Sequence, residues 1–365
     1  MGGGAFPLPP GSTIGILGGG QLGRMMALAA ARLGFDAAIL TPRPDSPASR
    51  VSAHTLVAAY DDPDALAELA RLSDVVTYEF ENVPAAATAR LEALGCAVAP
   101  GPRALAVAQD RAVEKGFFEE IGAPTVAFAV IDSAQDIAPA LARLGAPALL
   151  KTRREGYDGK GQVWIREPSE AEAAFASIGA VPAILEARAP FVRELSVIAA
   201  RGRDGAVAAY PLGENHHEHS ILRTTVAPAA VLPATAAAAR AIAARLLEAL
   251  DYVGVIGVEL FELEGGRLLV NEFAPRVHNT GHWTLDGCEV DQFEQHVRAV
   301  AGWPLGKAEA LARVEMTNLL GAEAGDWAAL AADPSARVWL YGKGESAPGR
   351  KMGHVNRLSP LKAPD

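Results

Sequence analysis

The first hundred residues alternate short apolar runs with helical stretches, and this alternation constrains the fold more than any other feature. Residues 13–17 read as a buried strand and 21–33 as the helix after it. A strand at 37–40 follows, then a helix at 64–71, a strand at 74–78, a helix at 85–94 and a strand at 96–99. Strands separated by helices cannot pair as hairpins. They imply a parallel sheet covered on both faces. This unit closes near Pro100-Gly101-Pro102.

The chain is 365 residues long, enough for two or three domains. Residues 103–121 read as one helix, and Ala123-Pro124 introduces a strand. The apolar run Ala148-Leu149-Leu150 ends on Lys151, and a loop rich in glycine and charge leads to a strand at 162–165. Residues 194–200 and 206–212 read as antiparallel strands around a turn at Arg203-Asp204-Gly205. From about Trp303 the remainder reads as short, with a loop-like tail. No repeat of 20–50 residues is visible, which argues against a solenoid.

Half of the residues are hydrophobic and 21% are charged, so the chain can bury large cores. The apolar runs are too short to cross a membrane. The first ten residues lack the basic and apolar regions of a signal peptide. Cys96 and Cys288 match no metal spacing, and a reduced, cytoplasmic setting is the simplest expectation. Net charge is -10, from 43 acids and 33 bases, which argues against a nucleic-acid binder. A phosphorylated small molecule needs only a local basic pocket.

Gly18-Gly19-Gly20-Gln21-Leu22-Gly23 has the G-x-G-x-x-G form between a strand and a helix, where bare amides can bind an anion. The next strand ends in Thr41-Pro42, with no acid to hold a dinucleotide's ribose. A phosphate on another ligand is the favoured expectation, with a tight structural turn as the alternative.

The most informative segment is 252–276. Two apolar runs flank Gly265-Gly266, a two-residue hairpin signal. Each run is interrupted by a glutamate. With the glycines as the loop, Glu259 and Glu272 fall directly opposite each other on one face. Like charges so placed repel. A shared divalent cation removes the conflict, and all-oxygen ligation suits magnesium carried on phosphates. Asn271 offers another oxygen if the strand bends. The alternative is a solvated acidic face.

Lys151 emerges at a strand end and is followed by Arg153, Arg154, Gly156, Tyr157, Asp158, Gly159, Lys160 and Gly161. The glycines let backbone amides wrap phosphates and the cations neutralise them. The pattern is not a P-loop.

These residues together resemble ATP-grasp enzymes, and within them the 5-(carboxyamino)imidazole ribonucleotide synthases. The carrying motifs are GGGQLGRM (18–25), YEFENVP (78–84), QDR (109–111), GYDGKGQ (156–162), ILRTT (221–225), YVGVIGVE (252–259), NEFAPRVHNTGHW (271–283) and GRKMGHVN (349–356). The resemblance implies an α/β architecture in three parts: a Rossmann-like domain at 1–105, an ATP-grasp domain at 106–302 with a lid at about 124–186, and a short C-terminal domain at 303–365. It implies ATP and Mg2+, with aminoimidazole ribonucleotide and bicarbonate as further substrates, and a homodimer.

Position by position, the resemblance puts Arg111 and Lys151 on the ATP phosphates, with Gly156, Tyr157, Asp158, Gly159, Lys160, Gly161 and Gln162 closing over them. Glu186, Ala187, Arg188 and Ala189 would line the adenine. Glu194 would hold the ribose, and His217 would also contact nucleotide. Glu259, Glu272 and Asn271 would serve the cation. Gln21 and Leu22 would lie near the ribonucleotide phosphate, and Arg350 and Lys351 would reach it. Glu79, or alternatively Glu81, would meet its ribose. Arg276, His278, Asn279 and Thr280 would surround the reacting centre, with Arg276 holding bicarbonate. Tyr157, Asp158 and Lys160 would order the lid. The competing readings are another ATP-grasp ligase, such as a formate-dependent glycinamide ribonucleotide transformylase, and a nucleotide-binding regulatory module without turnover.

Overall fold

The computed structural model describes residues 5–156 and 159–361, so Tyr157 and Asp158 lie outside the described residues. The chain opens with β1 (Thr13–Leu17), α1 (Gln21–Arg32), β2 (Asp36–Thr41), β3 (His54–Val57), α2 (Pro63–Leu72), β4 (Val75–Tyr78), α3 (Ala85–Ala93) and β5 (Ala97–Val98). All pairings are parallel, in the order β3-β2-β1-β4-β5. β1 lies at the centre and is buried almost throughout. β3 escaped the sequence reading because it is an edge strand, His-Thr-Leu-Val, with both ends exposed.

The helix expected at 103–121 is two helices, α4 (Pro102–Ala108) and α5 (Arg111–Glu120). Asp110 breaks it: its backbone is extended and its carboxylate accepts from the amides of Ala112 and Val113, capping α5. Arg153 grips the same carboxylate at 3.0 and 2.8 Å, tying the cap to the start of the glycine-rich loop.

A small unit follows: β6 (Phe128–Ile131), α6 (Ile137–Leu144), β7 (Ala148–Thr152), β8 (Gln162–Ile165), α7 (Ala171–Ser177) and β9 (Ala183–Ala187). Its strands are antiparallel, in the order β6-β9-β7-β8. It has its own core, in which Ile131, Leu141, Leu150, Ile165 and Leu185 meet.

The large sheet contains β10 (Phe191–Arg201), β11 (Val207–Ala209), β12 (Gly213–Glu218) and β13 (Ile221–Ala227), then, after α8 (Pro233–Ala249), β14 (Gly254–Leu263) and β15 (Leu268–Ala274). The short α9 (Thr284–Gly287) and α10 (Gln292–Ala301) lead to β16 (Arg313–Leu320), α11 (Trp327–Ala332), β17 (Ala336–Leu340) and β18 (Lys351–Ser359). The order is β15-β14-β10-β12-β13-β16-β18-β17, with β11 beside β10. The loop-like tail is therefore wrong: β18 is a nine-residue strand inside this sheet. Its buried positions include His354 and Asn356, and these polar residues disguise the strand in the sequence.

One apolar core joins the first sheet to the large sheet and the C-terminal strands. Met25 and Met26 of α1, Phe293 and Val297 of α10, Trp283, Val314 and Tyr341 all belong to it.

Candidate active site

A cleft of about 1730 Å3 opens between the small unit and the large sheet. The β14–β15 hairpin supplies its floor. Glu259 pairs with Glu272, as expected, but two departures from the simple hairpin lie behind the agreement. The turn is a three-residue 3-10 turn over Glu264–Gly266, closed by the Leu263 amide donating to the Arg267 carbonyl (2.8 Å). Gly265 and Gly266 there have φ of 79° and 80°, which favours glycine. This turn shifts the register by one, so Leu260 faces Val270. A bulge between the two pairings, at Asn271, restores it. Asn271, Glu272 and Glu259 all line the cleft.

The opposed carboxylates are pushed apart electrostatically. Burial opposes ionisation of both, but Arg111 and Lys151 overcome it for Glu272 and hold it well below the usual carboxylate range. Burial and the charge of Glu272 push Glu259 up to about 7. The Asn271 side-chain oxygen is buried without a hydrogen-bond partner. Two carboxylates and an orphaned amide oxygen on one wall fit a hard divalent cation.

Above this floor, Lys151 of β7 lies 2.6 Å from Glu186 of β9, and Lys115 of α5 lies 3.2 Å from the other oxygen of Glu186. The Glu186 carboxylate thus anchors two lysines, leaving Ala187, Arg188 and Ala189 along the wall of the cleft. Arg111 donates to Glu272 at 2.6 Å and to the carbonyl of Gly156 at 3.2 Å, which connects floor and loop. Gly156, Gly159, Lys160 and Gln162 line the cleft; Gly161 turns behind it, its carbonyl accepting from the Thr152 amide (2.8 Å). Glu194 of β10 and His217 of β12 meet at 2.6 Å. Burial works against the charged imidazole, but the bond to Glu194 and the charge of Glu259 outweigh it and raise the His217 pKa.

The glycine-rich loop corrects an expectation. Both oxygens of Glu79 turn inward, accepting from the amides of Gly20 and Gly23. A Cβ on Gly18 would come within 2.2 Å of Glu79, and one on Gly20 within 2.7 Å. Two of the expected phosphate amides are therefore occupied by the protein's own carboxylate, so Glu79 builds the loop while its side chain also lines the cleft. Gln21 and Leu22, at the first two positions of α1, still line the cleft.

Arg276 donates to the Glu81 carboxylate and to the Val277 carbonyl (3.1 Å), and both members of this pair line the cleft. The Thr280 amide donates to Nδ1 of His278 (3.4 Å), which leaves the ring proton on Nε2, 3.5 Å from Glu259. Burial, with Arg276 and Lys351 nearby, lowers the His278 pKa to about 3, so the ring is neutral. Two residues expected around the reacting centre, Thr280 and Asn279, have protein partners of their own, and Asn279 also lines the cleft. Thr280 is fully buried and its hydroxyl lies 2.9 Å from His278 Nδ1, so it orients that ring. Asn279 exchanges amide hydrogen bonds with Asn318 of β16 (3.0 and 2.8 Å), which pins its side chain. Arg350 and Lys351, at the start of β18, reach the far end of the cleft beside Lys343, which the sequence reading did not single out.

Glu114 and Lys115 were also missed. Their signal was present: 114, 117 and 118 share one helical face, so an acid there sits among Phe117 and Phe118 on the buried side of α5.

A cleft between two antiparallel α/β units, with lysines above and paired glutamates below, defines an ATP-grasp enzyme. Residues 116–293 match the ATP-grasp domain, 12–109 the ribonucleotide synthetase preATP-grasp domain, and 315–363 the phosphoribosylaminoimidazole carboxylase C-terminal domain. The N5-carboxyaminoimidazole ribonucleotide synthase of Brucella melitensis is 53% identical over 97% of this chain and 98% of its own. The chain belongs to the N5-carboxyaminoimidazole ribonucleotide synthase family. The crystal structure of an ADP complex of a synthetase of this name superposes with a TM-score of 0.93 at 41% identity, covering 96% of this chain and 93% of that one. The Aspergillus clavatus enzyme, in complex with ADP and 5-aminoimidazole ribonucleotide, gives 0.89 at 32% identity, covering 96% and 94%.

Proposed function

We infer that the chain carboxylates 5-aminoimidazole ribonucleotide with ATP and bicarbonate, giving N5-carboxyaminoimidazole ribonucleotide, ADP and phosphate in purine biosynthesis. The observation that carries this reading is the juxtaposition, in one cleft, of the Glu259–Glu272–Asn271 floor and a separate basic end at Arg350 and Lys351. One end suits a triphosphate and the other a monophosphate.

The adenine fits the apolar wall made by Val126, Leu149 and Phe261, beside the backbone of residues 186–189. Glu194, fixed by His217, takes the ribose hydroxyls. Lys151, Arg111 and the amides of the 156–162 loop receive the phosphates, with Tyr157, Asp158 and Lys160 completing the loop. Glu259, Glu272 and Asn271 would hold Mg2+, which would neutralise phosphate oxygens and favour transfer of the γ-phosphoryl group. A bicarbonate oxygen attacks the γ-phosphorus, and the bond to the β-phosphate oxygen breaks. Carboxyphosphate and ADP result. This transfer depends on alignment and on fixed positive charge more than on covalent chemistry.

Arg276, oriented by Glu81, presents a planar guanidinium suited to bicarbonate and the carboxyl group of carboxyphosphate. Closure of the loop excludes water from this labile species. It breaks to carbon dioxide and phosphate. The exocyclic amine of the ribonucleotide then attacks the carbon, and phosphate removes the proton. Neutral His278 donates through Nε2 without adding positive charge beside Glu259. Gln21, Leu22, Arg350 and Lys351 hold the ribonucleotide phosphate. The family resemblance also implies a homodimer in the cytoplasm.

ADP release, measured with each substrate omitted in turn, tests the reading. It should require both bicarbonate and aminoimidazole ribonucleotide, and Glu272→Gln should abolish it in a folded protein. Release driven instead by formate and glycinamide ribonucleotide, or full activity of Glu272→Gln, would sink the assignment.

A further inference from the structure

β15 is the outer strand of the large sheet, so half of its backbone groups face away from β14. Its bulge at Asn271 adds to the groups that the sheet cannot pair. Buried backbone groups need partners. On this edge they find them in the start of the small unit and in α5. The Val270 amide donates to the Pro124 carbonyl (2.7 Å), and the Thr125 hydroxyl donates to the Val270 carbonyl (2.8 Å). Lys115 donates to the Asn271 carbonyl at 2.7 Å and to the Thr125 hydroxyl at 3.0 Å. The Phe273 amide donates to the Glu114 carboxylate at 2.8 Å.

Two adjacent helical residues thus seize the backbone immediately before and immediately after Glu272. Both are nearly inaccessible: Glu114 is 2% exposed and Lys115 0%. Neither touches the cleft surface. Burying two ionisable side chains costs more than using neutral partners for the same backbone groups, so the need to pair those groups does not by itself account for this choice of residues. The bulge gives one, because it sets Asn271 and Glu272 side by side toward Glu259.

We propose that Glu114 and Lys115 are positioning residues for the cation-binding set, clamping the β15 bulge so that Asn271 and Glu272 face the cleft together. Lys115 also ties this clamp to Lys151 through Glu186, so floor and phosphate-binding lysine are set by one network. The proposal rests on the reading of Glu259, Glu272 and Asn271 as the cation site.

Mn2+ binding in the presence of ADP, followed by electron paramagnetic resonance on the full chain, gives a readout apart from turnover. Glu114→Ala and Lys115→Met should each weaken Mn2+ by about tenfold or more, as loss of outer-shell partners does elsewhere. kcat should fall in parallel, while KM for aminoimidazole ribonucleotide stays within about twofold. Glu114→Gln keeps an acceptor for the Phe273 amide and should restore most of both. Unchanged Mn2+ affinity in folded Glu114→Ala and Lys115→Met overturns the proposal, as does an equal loss of ribonucleotide affinity. If the truncations fail to fold, Thr125→Val decides: it removes the hydroxyl shared by Lys115 and Val270 at nearly constant volume. It should weaken Mn2+ by at least about threefold, and no change would refute the clamp. Wild-type protein that binds no Mn2+ with ADP removes the cation site itself, a distinct outcome.

Discussion

At the scale of single residues, buried histidines join the parts of the molecule. His296 of α10 is wholly buried. The Val255 amide donates to its Nδ1 (3.1 Å), so the proton sits on Nε2, which donates to the Thr77 hydroxyl at 2.8 Å. One ring therefore links β4 of the first sheet to β14 of the large one. Burial pushes its pKa down from 6.5 to about 3. The unfolded chain takes up this proton below the ordinary value, and the folded chain does so only near the lowered one. The stability contributed by the neutral ring is thus complete above about pH 6.5 and is lost as pH falls toward 3. His296→Gln should cost stability at pH 7.5, but the gap to wild type should narrow by about 1.4 kcal/mol at pH 5.5. Chemical denaturation at the two pH values measures this, and a pH-independent gap would show that the ring does not titrate as argued. Residue-level chemistry was partly legible in the sequence. Glu259 and Glu272 stood out because charges interrupt apolar strands. Glu79 did not reveal its role, because nothing local shows that a carboxylate 59 residues beyond Gly20 folds back onto that glycine's amide.

At the scale of elements, the alternation of apolar runs with helices was enough to place β1, β2 and β4 and the helices between them. It failed for β3 and β18, for opposite reasons. β3 is an edge strand with little apolar surface to bury. β18 is interior, yet its buried side chains include His354 and Asn356, which bond to Tyr341 and Asp286 (2.9 and 2.7 Å). A period-two pattern read only in apolar residues misses such a strand. Hydrogen exchange can test its place. Sheet-paired amides of 352–356 should exchange as slowly as those of β14, because releasing them requires breaking both the β16 and β17 ladders. Exchange within seconds across this segment would mean that the strand is only loosely attached, and with it Lys351.

At the scale of the whole molecule, the division of cores decides what can move. The first sheet, the large sheet and the C-terminal strands share one apolar core, so the floor of the cleft and its two ends are fixed relative to one another. The small unit has a core of its own, and among the described residues its roof meets the large sheet at contacts such as Gln162 to Ser220 at 3.2 Å. Nucleotide phosphates under the roof would add further contacts. The 153–162 loop carries Arg154, with its side chain 63% exposed, and Lys160, both cleavage points for trypsin. If cleavage passes through a nucleotide-free open form, ADP with Mg2+ at about a hundred times its dissociation constant should slow it by up to about a hundredfold. Aminoimidazole ribonucleotide alone should leave the rate nearly unchanged, because its proposed contacts lie on the fixed body, at α1 and β18. Mass spectrometry of a timed digest identifies cuts after Arg154 and Lys160. Equal rates with and without ADP would mean that the nucleotide does not secure this loop, and that water must be kept from the proposed carboxyphosphate by some other part of the chain.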